Sequence, residues 1–129
     1  MREITVVVSS KGKARDASAL ALPAPAAAFE GLLPQGDVLA CGRDFLVRRG
    51  ADGRVAGLFW DADGDPWTAK VTYTALSGGA SFVIRRWRLK DGALEELPEK
   101  TLRRYANSAG ILEVKIPAEA GEYMVFTQE

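Results

Sequence analysis

Apolar and polar residues alternate with a period of two along much of this 129-residue chain. In residues 3–9, Ile4, Val6 and Val8 fall on one side and Glu3, Thr5 and Ser9 on the other, the pattern of a half-buried strand. The cleanest alternation, in residues 67–75, sets Trp67, Ala69, Val71, Tyr73 and Ala75 against Thr68, Lys70, Thr72 and Thr74. It predicts an antiparallel strand with one wet face. Further strands are predicted at 37–42, 45–49, 54–60, 81–90 and 93–97, with turn signals such as Ala51-Asp52-Gly53 and Asp91-Gly92. Residues 98–110 read as a loop with one helical turn around Leu102 to Tyr105. Two closing strands flank a Pro117–Gly121 corner, the last at 121–127. About eight short strands at this spacing predict an all-β antiparallel sandwich, folded as a single domain over residues 1–129.

Residues 17–34 change character to an Ala/Pro-rich run. Pro23 and Pro25 forbid a helix nearby, and Ala26 to Leu33 is long enough for at most two helical turns. The segment reads as an extended arm or covering loop, anchored by Phe29, Leu32 and Leu33.

Composition narrows the chemistry. Lysine plus arginine equal aspartate plus glutamate at 17 each, so no net field draws the chain to nucleic acid or an acidic membrane. Neutrality also permits self-association. A single cysteine, Cys41, excludes an internal disulfide and any site built on several thiolates. The chain has no histidine, which removes the usual metal ligand and the usual proton shuttle. After Arg2 and Glu3, the apolar run Ile4 to Val8 is too short for a signal-peptide core, and no stretch approaches the ~20 apolar residues of a membrane helix. The expectation is a soluble protein made in the cytoplasm without a signal peptide, with no membrane contact.

The stretch Glu119-Ala120-Gly121-Glu122-Tyr123-Met124-Val125 resembles the tyrosine-corner motif of immunoglobulin-like domains. The resemblance implies an immunoglobulin-like sandwich in which the Tyr123 hydroxyl ties the corner back to the chain upstream. Val125 would stand where that family has a disulfide cysteine, leaving Cys41 without a partner. If Tyr123 opened a penultimate strand, the sheet would keep an edge able to accept a strand from another chain. A sandwich completed within the chain is the preferred reading, because exposed edges are usually covered.

Three groups of residues carry candidate chemistry. Asp61, Asp63 and Asp65 alternate in an Asp/Gly-rich loop and offer hard oxygens to Ca²⁺; Pro66 and Thr72 stand where an EF-hand loop has glycine and glutamate. A solvated turn is the plainer reading, and no other cofactor is expected. In Ile84 to Lys90, alternation puts Arg86, Arg88 and Lys90 on one face and Arg85, Trp87 and Leu89 on the other. Trp87 is expected in the core, with the cations on a wet face. Trp60, Trp67 and Trp87 form the third group, flat rings able to stack on sugars when exposed. Glu95 and Glu96 are adjacent and so point to opposite faces of a strand, unlike the facing carboxylates of a glycosidase.

These observations predict a non-enzymatic structural or interaction module that works through protein–protein assembly, in the manner of a virion or appendage accessory protein. The alternative is a carbohydrate-binding module using exposed Trp60, Trp67 and Trp87 beside Arg86 and Arg88. Nucleic acid is not an expected partner.

Overall fold

A computed structural model describes residues 2–16, 24–62, 64 and 67–129. Their secondary structure is ten strands with short 3-10 turns: β1 (Arg2–Ser9), β2 (Gly36–Cys41), β3 (Phe45–Gly50), β4 (Val55–Trp60), β5 (Trp67–Thr74), β6 (Ser81–Lys90), β7 (Ala93–Glu96), β8 (Leu102–Tyr105), β9 (Leu112–Ala118) and β10 (Tyr123–Gln128). They form a small sheet in the order β1-β5-β9 and a large sheet in the order β2-β3-β4-β10-β6-β7, with β8 beside β6. The protein is an all-β sandwich.

The burial pattern explains why the strands read differently in the sequence. In the small sheet, β5 and β9 alternate strictly between buried and accessible residues, because only one face meets the core. In the large sheet all six residues of β4 are buried. One face of β4 (Val55, Phe59) joins the inter-sheet core, and the other (Ala56, Leu58, Trp60) joins an outer cluster with Phe29 and Leu33. The segment 24–34 is therefore a third layer over part of the large sheet, anchored by Phe29 and Leu33 with Leu32 packed at its margin. Residues 17–23 of the expected arm lie outside the described residues.

The two sheets approach closely where Tyr73 of β5 meets Gly57 of β4. A Cβ at Gly57 would collide with the Tyr73 hydroxyl, so glycine is required there. The Tyr73 ring stacks on Phe82 at 5.0 Å and packs against Phe126 at 6.0 Å. Trp67 fastens the same layers at the other end, donating from Nε1 to the Trp60 carbonyl at 3.0 Å.

Several expectations are corrected. The described residues form ten strands rather than about eight. Residues 102–105 form β8 instead of a helical turn, because β6 offers them an open ladder at Ser81–Ile84 and pairing overrides weak local preference. The single turn falls earlier, at Pro98–Lys100, where proline suits the first helical position. The sheets are not wholly antiparallel, since β1 pairs with β5 in parallel. The closing strand β10 pairs with β4 on one side and β6 on the other, so it leaves no open ladder there. The Asp91-Gly92 hairpin signal is met: both residues have positive φ, as a type I′ turn requires.

Candidate functional site

The structure disperses the residues that the sequence grouped. Trp60 is 3% exposed and Trp67 fully buried, so neither ring offers a surface for stacking. Trp67 fills the core between the sheets and Trp60 the outer cluster under the 24–34 layer, where large apolar area is stabilising. Arg86 is buried, not solvated. Alternation along β6 assigned the two faces correctly but inverted which one faces the core: Phe82 and Ile84 point inward and carry Arg86 with them, while Trp87 turns to the outer cluster. Arg88 is exposed, and its guanidinium lies 3.7 Å from Glu122.

Arg86 is tolerated inside because partners meet its donors. Nη1 donates to Glu122 at 3.2 Å, and Nη2 donates to the Pro117 carbonyl at 2.7 Å, bridging the sheets. Glu122 also accepts from Lys100, which donates in turn to Glu119 at 3.1 Å. The Lys100 bonds hold the Glu119 carboxyl below its ordinary range, and the two glutamates raise Lys100 above its own. Tyr123, assigned the corner role by resemblance, packs its ring against Phe29 at 5.1 Å on the outer face. Glu122, one residue earlier, is the group that ties the corner.

At the proposed Ca²⁺ loop, Asp63 and Asp65 lie outside the described residues. Asp61 is half-buried, and the neighbouring Ala62 amide donates to Asp44 Oδ1 at 3.0 Å. Among the described residues no cluster of three acidic, cysteine or histidine groups is placed to hold a metal ion. Cys41 is half-buried, and burial pushes its thiol above the ordinary value against the opposing pull of Arg15 and Arg48. A raised thiol is a poor nucleophile at neutral pH. None of the described helices is long and apolar enough to cross a membrane.

What the fold does assemble is a groove on the outer face of the large sheet, beside the 24–34 layer. One cleft of about 310 Å³ is lined by Leu32, Arg85, Trp87, Glu96, Val125 and Thr127. A second, also about 310 Å³, shares Leu32 and Thr127 and continues past Pro34 and Arg54 to Gln128. Register places the lining in rows: Tyr123, Trp87 and Glu96 lie abreast on β10, β6 and β7, with Val125 beside Arg85 in the next row. Arg85 Nε and Glu96 Oε2 are 4.0 Å apart at the accessible rim. Trp87 is partly exposed, yet its Nε1 is buried and meets no acceptor. The indole therefore shows its carbon framework to the groove. Of the ligand-binding candidates drawn from the sequence, Trp87 lines this site, joined by Leu32, Arg85 and Glu96, which the sequence marked in other roles. Arg85, Glu96, Leu32 and Thr127 come together through strand pairing and the third layer, which periodicity does not encode.

No protein-family model and no curated protein matches the chain. Solved structures do. The GH39 enzyme from Xanthomonas axonopodis pv. citri superposes with a TM-score of 0.56 at 14% identity, over 78% of this chain and 28% of that one. Two others are N2152 from Neocallimastix frontalis (TM-score 0.47, 12% identity, 74% of this chain, 27% of that one) and CelM2, a bifunctional glucanase-xylanase protein from a metagenome library (0.47, 11%, 72% and 18%). The first likeness shows a shared sandwich fold. The chain spans 28% or less of the length of these three proteins.

Proposed function

We propose that this protein is a non-catalytic β-sandwich module that works as a binding surface, and that its working face is the outer face of the large sheet beside the 24–34 layer. The observation that carries this reading is the half-finished covering of that face. Phe29 and Leu33 close it over β3, β4 and β10, while Trp87, Leu94 and Leu32 stay partly accessible farther along. A groove with an aromatic floor and a charged rim is the kind of surface that concentrates binding energy. The recessed carboxylates support the non-catalytic part: Glu122 is engaged by Arg86 and Lys100, and Asp44 by the Ala62 amide and Arg2. The GH39 enzyme adds that a sandwich of this shape can be a minor part of a longer chain. Immunoglobulin-like membership remains part of the proposal, supported by the two-sheet architecture and the Glu119–Val125 sequence.

The test is an amide chemical-shift titration of the labelled protein with two panels, extended peptides and neutral oligosaccharides. Saturable shifts clustered at residues 31–34, 85–87, 94–96 and 125–128 are expected. Shifts confined to the wet face of the small sheet, or turnover of a panel member, would refute the reading.

A further inference from the structure

We infer that the groove's ligand is a neutral saccharide, stacked on Trp87 and hydrogen-bonded by Arg85 and Glu96. This deepens the binding face proposed above and rests on it. Three features point to that chemistry. The exposed part of Trp87 is carbon, because its one polar atom is turned inward, and an apolar ring surface suits the C–H face of a pyranose. The rim beside it is a charged pair held loosely at 4.0 Å, with 43% and 35% of the two side chains exposed. A pair that weak leaves guanidinium donors and carboxylate acceptors free for hydroxyl groups, which need both. The pair is also neutral overall. A phosphate or acidic peptide would meet Glu96 and a basic peptide Arg85, whereas an uncharged polyol meets neither as a like charge. Thr127 also lines the cleft, and the volume of about 310 Å³ falls at the small end of ligand clefts.

Arg86 and Arg88 take no part: the first is consumed by Glu122 and Pro117, and both point away from this face. The site is thus a single-tryptophan platform rather than an array of three rings.

Tryptophan fluorescence reads the site directly, since Trp60 and Trp67 are shielded and Trp87 is the partly exposed indole. Cellohexaose and xylohexaose serve as probes at up to millimolar concentration. The expected result is a saturable blue shift with at least one of them in the parent protein; calorimetric titration, which needs no indole reporter, should show binding weakened about tenfold or more in W87A and by a smaller factor in E96Q. Near-ultraviolet circular dichroism from Trp60 and Trp67 reports whether each variant keeps its fold. If W87A does not fold, W87F replaces it and should weaken binding several-fold. Absence of a saturable response to both sugars, or undiminished binding by the Trp87 variant, would overturn the saccharide assignment. Peptides shifting the same amides while both sugars leave them unmoved would overturn it too, yet leave the binding face standing. If neither panel perturbs this face, both proposals fall.

Discussion

Arg86 Nη1 lies 3.2 Å from Glu122 Oε1, and the two side chains are only 6% and 3% exposed. The pair joins the middle of β6 to the turn before β10, at the end of the sandwich where Arg86 also reaches the β9 backbone. Burying two charges costs more than it returns unless the remaining donors and acceptors are met, and here Lys100 and the Pro117 carbonyl meet them.

Removing one partner should therefore be far worse than removing both. Glu122→Ala leaves Arg86 buried beside no carboxylate and is expected to destabilise the fold by about 3–5 kcal/mol. The double variant Arg86→Leu with Glu122→Leu should recover most of that loss, because a packed apolar pair carries no desolvation cost. Urea unfolding midpoints of the three proteins measure this. Equal losses in the single and double variants would mean that the pair contributes as packing, not as charge.

Tyr73 makes the alkaline limit of stability predictable. Its ring is fully buried, its hydroxyl has no hydrogen-bond partner, and burial pushes that hydroxyl well above its ordinary 10.0. In the unfolded chain the phenol ionises above pH 10, while in the fold it stays protonated. The native state then binds the extra proton, so stability is intact below pH 10 and falls as pH rises above it, by about 1.4 kcal/mol per pH unit. Tyr73→Phe should remove this component and, by deleting an unpaired buried hydroxyl, add about 1 kcal/mol at neutral pH. Denaturant unfolding at pH 7 and 11 compares the two proteins, and parallel losses in both would contradict the assignment.

At the acid end the carriers are surface pairs. Lys100 lowers the Glu119 carboxyl and Arg103 lowers that of Glu129, in each case through a side-chain hydrogen bond first. A depressed carboxylate contributes stability above its unfolded value of 4.5 and loses it as pH falls through the lower folded value. Thermal midpoints should drop on acidification below that range. Glu129→Gln should show a shallower drop, and added salt should flatten both because these groups are solvated.

How much of this was legible in the chain depends on how many layers touch a strand. β5 and β9 meet one core and one solvent face, so Trp67 to Thr74 announce themselves by alternation. β4 is covered on both faces, and Val55 to Trp60 read as a continuous apolar run that hides which residue faces which layer. The same blindness inverted β6: the pattern separated Arg86 from Trp87, but the sense of the split depends on a neighbouring sheet and a covering segment. The parallel β1–β5 pairing joins residues more than sixty positions apart, and no local period records it. The groove at Trp87 belongs to this second class. Its lining comes from β6, β7, β10 and the 24–34 layer; alternation placed Arg85 and Trp87 on one face, but nothing local brought Leu32 and Glu96 to them.

The 24–34 layer can be tested through its anchor. Phe29 is fully buried, packed at 5.1 Å against the tilted ring of Tyr123 and set in the cluster that includes Trp60. Backbone bonds within it are local, from Leu32 and Leu33 to the Phe29 carbonyl. Apolar burial must therefore supply much of the attachment, and Phe29→Ala removes its largest share, about 3 kcal/mol. Because the inter-sheet core on the opposite face is untouched, the expected outcome is release of the layer ahead of global unfolding. Acrylamide should then quench Trp60, which is shielded in the parent protein, while Trp67 stays protected between the sheets. A cooperative loss of both signals at one denaturant concentration would show instead that the third layer and the sandwich fold as a single unit.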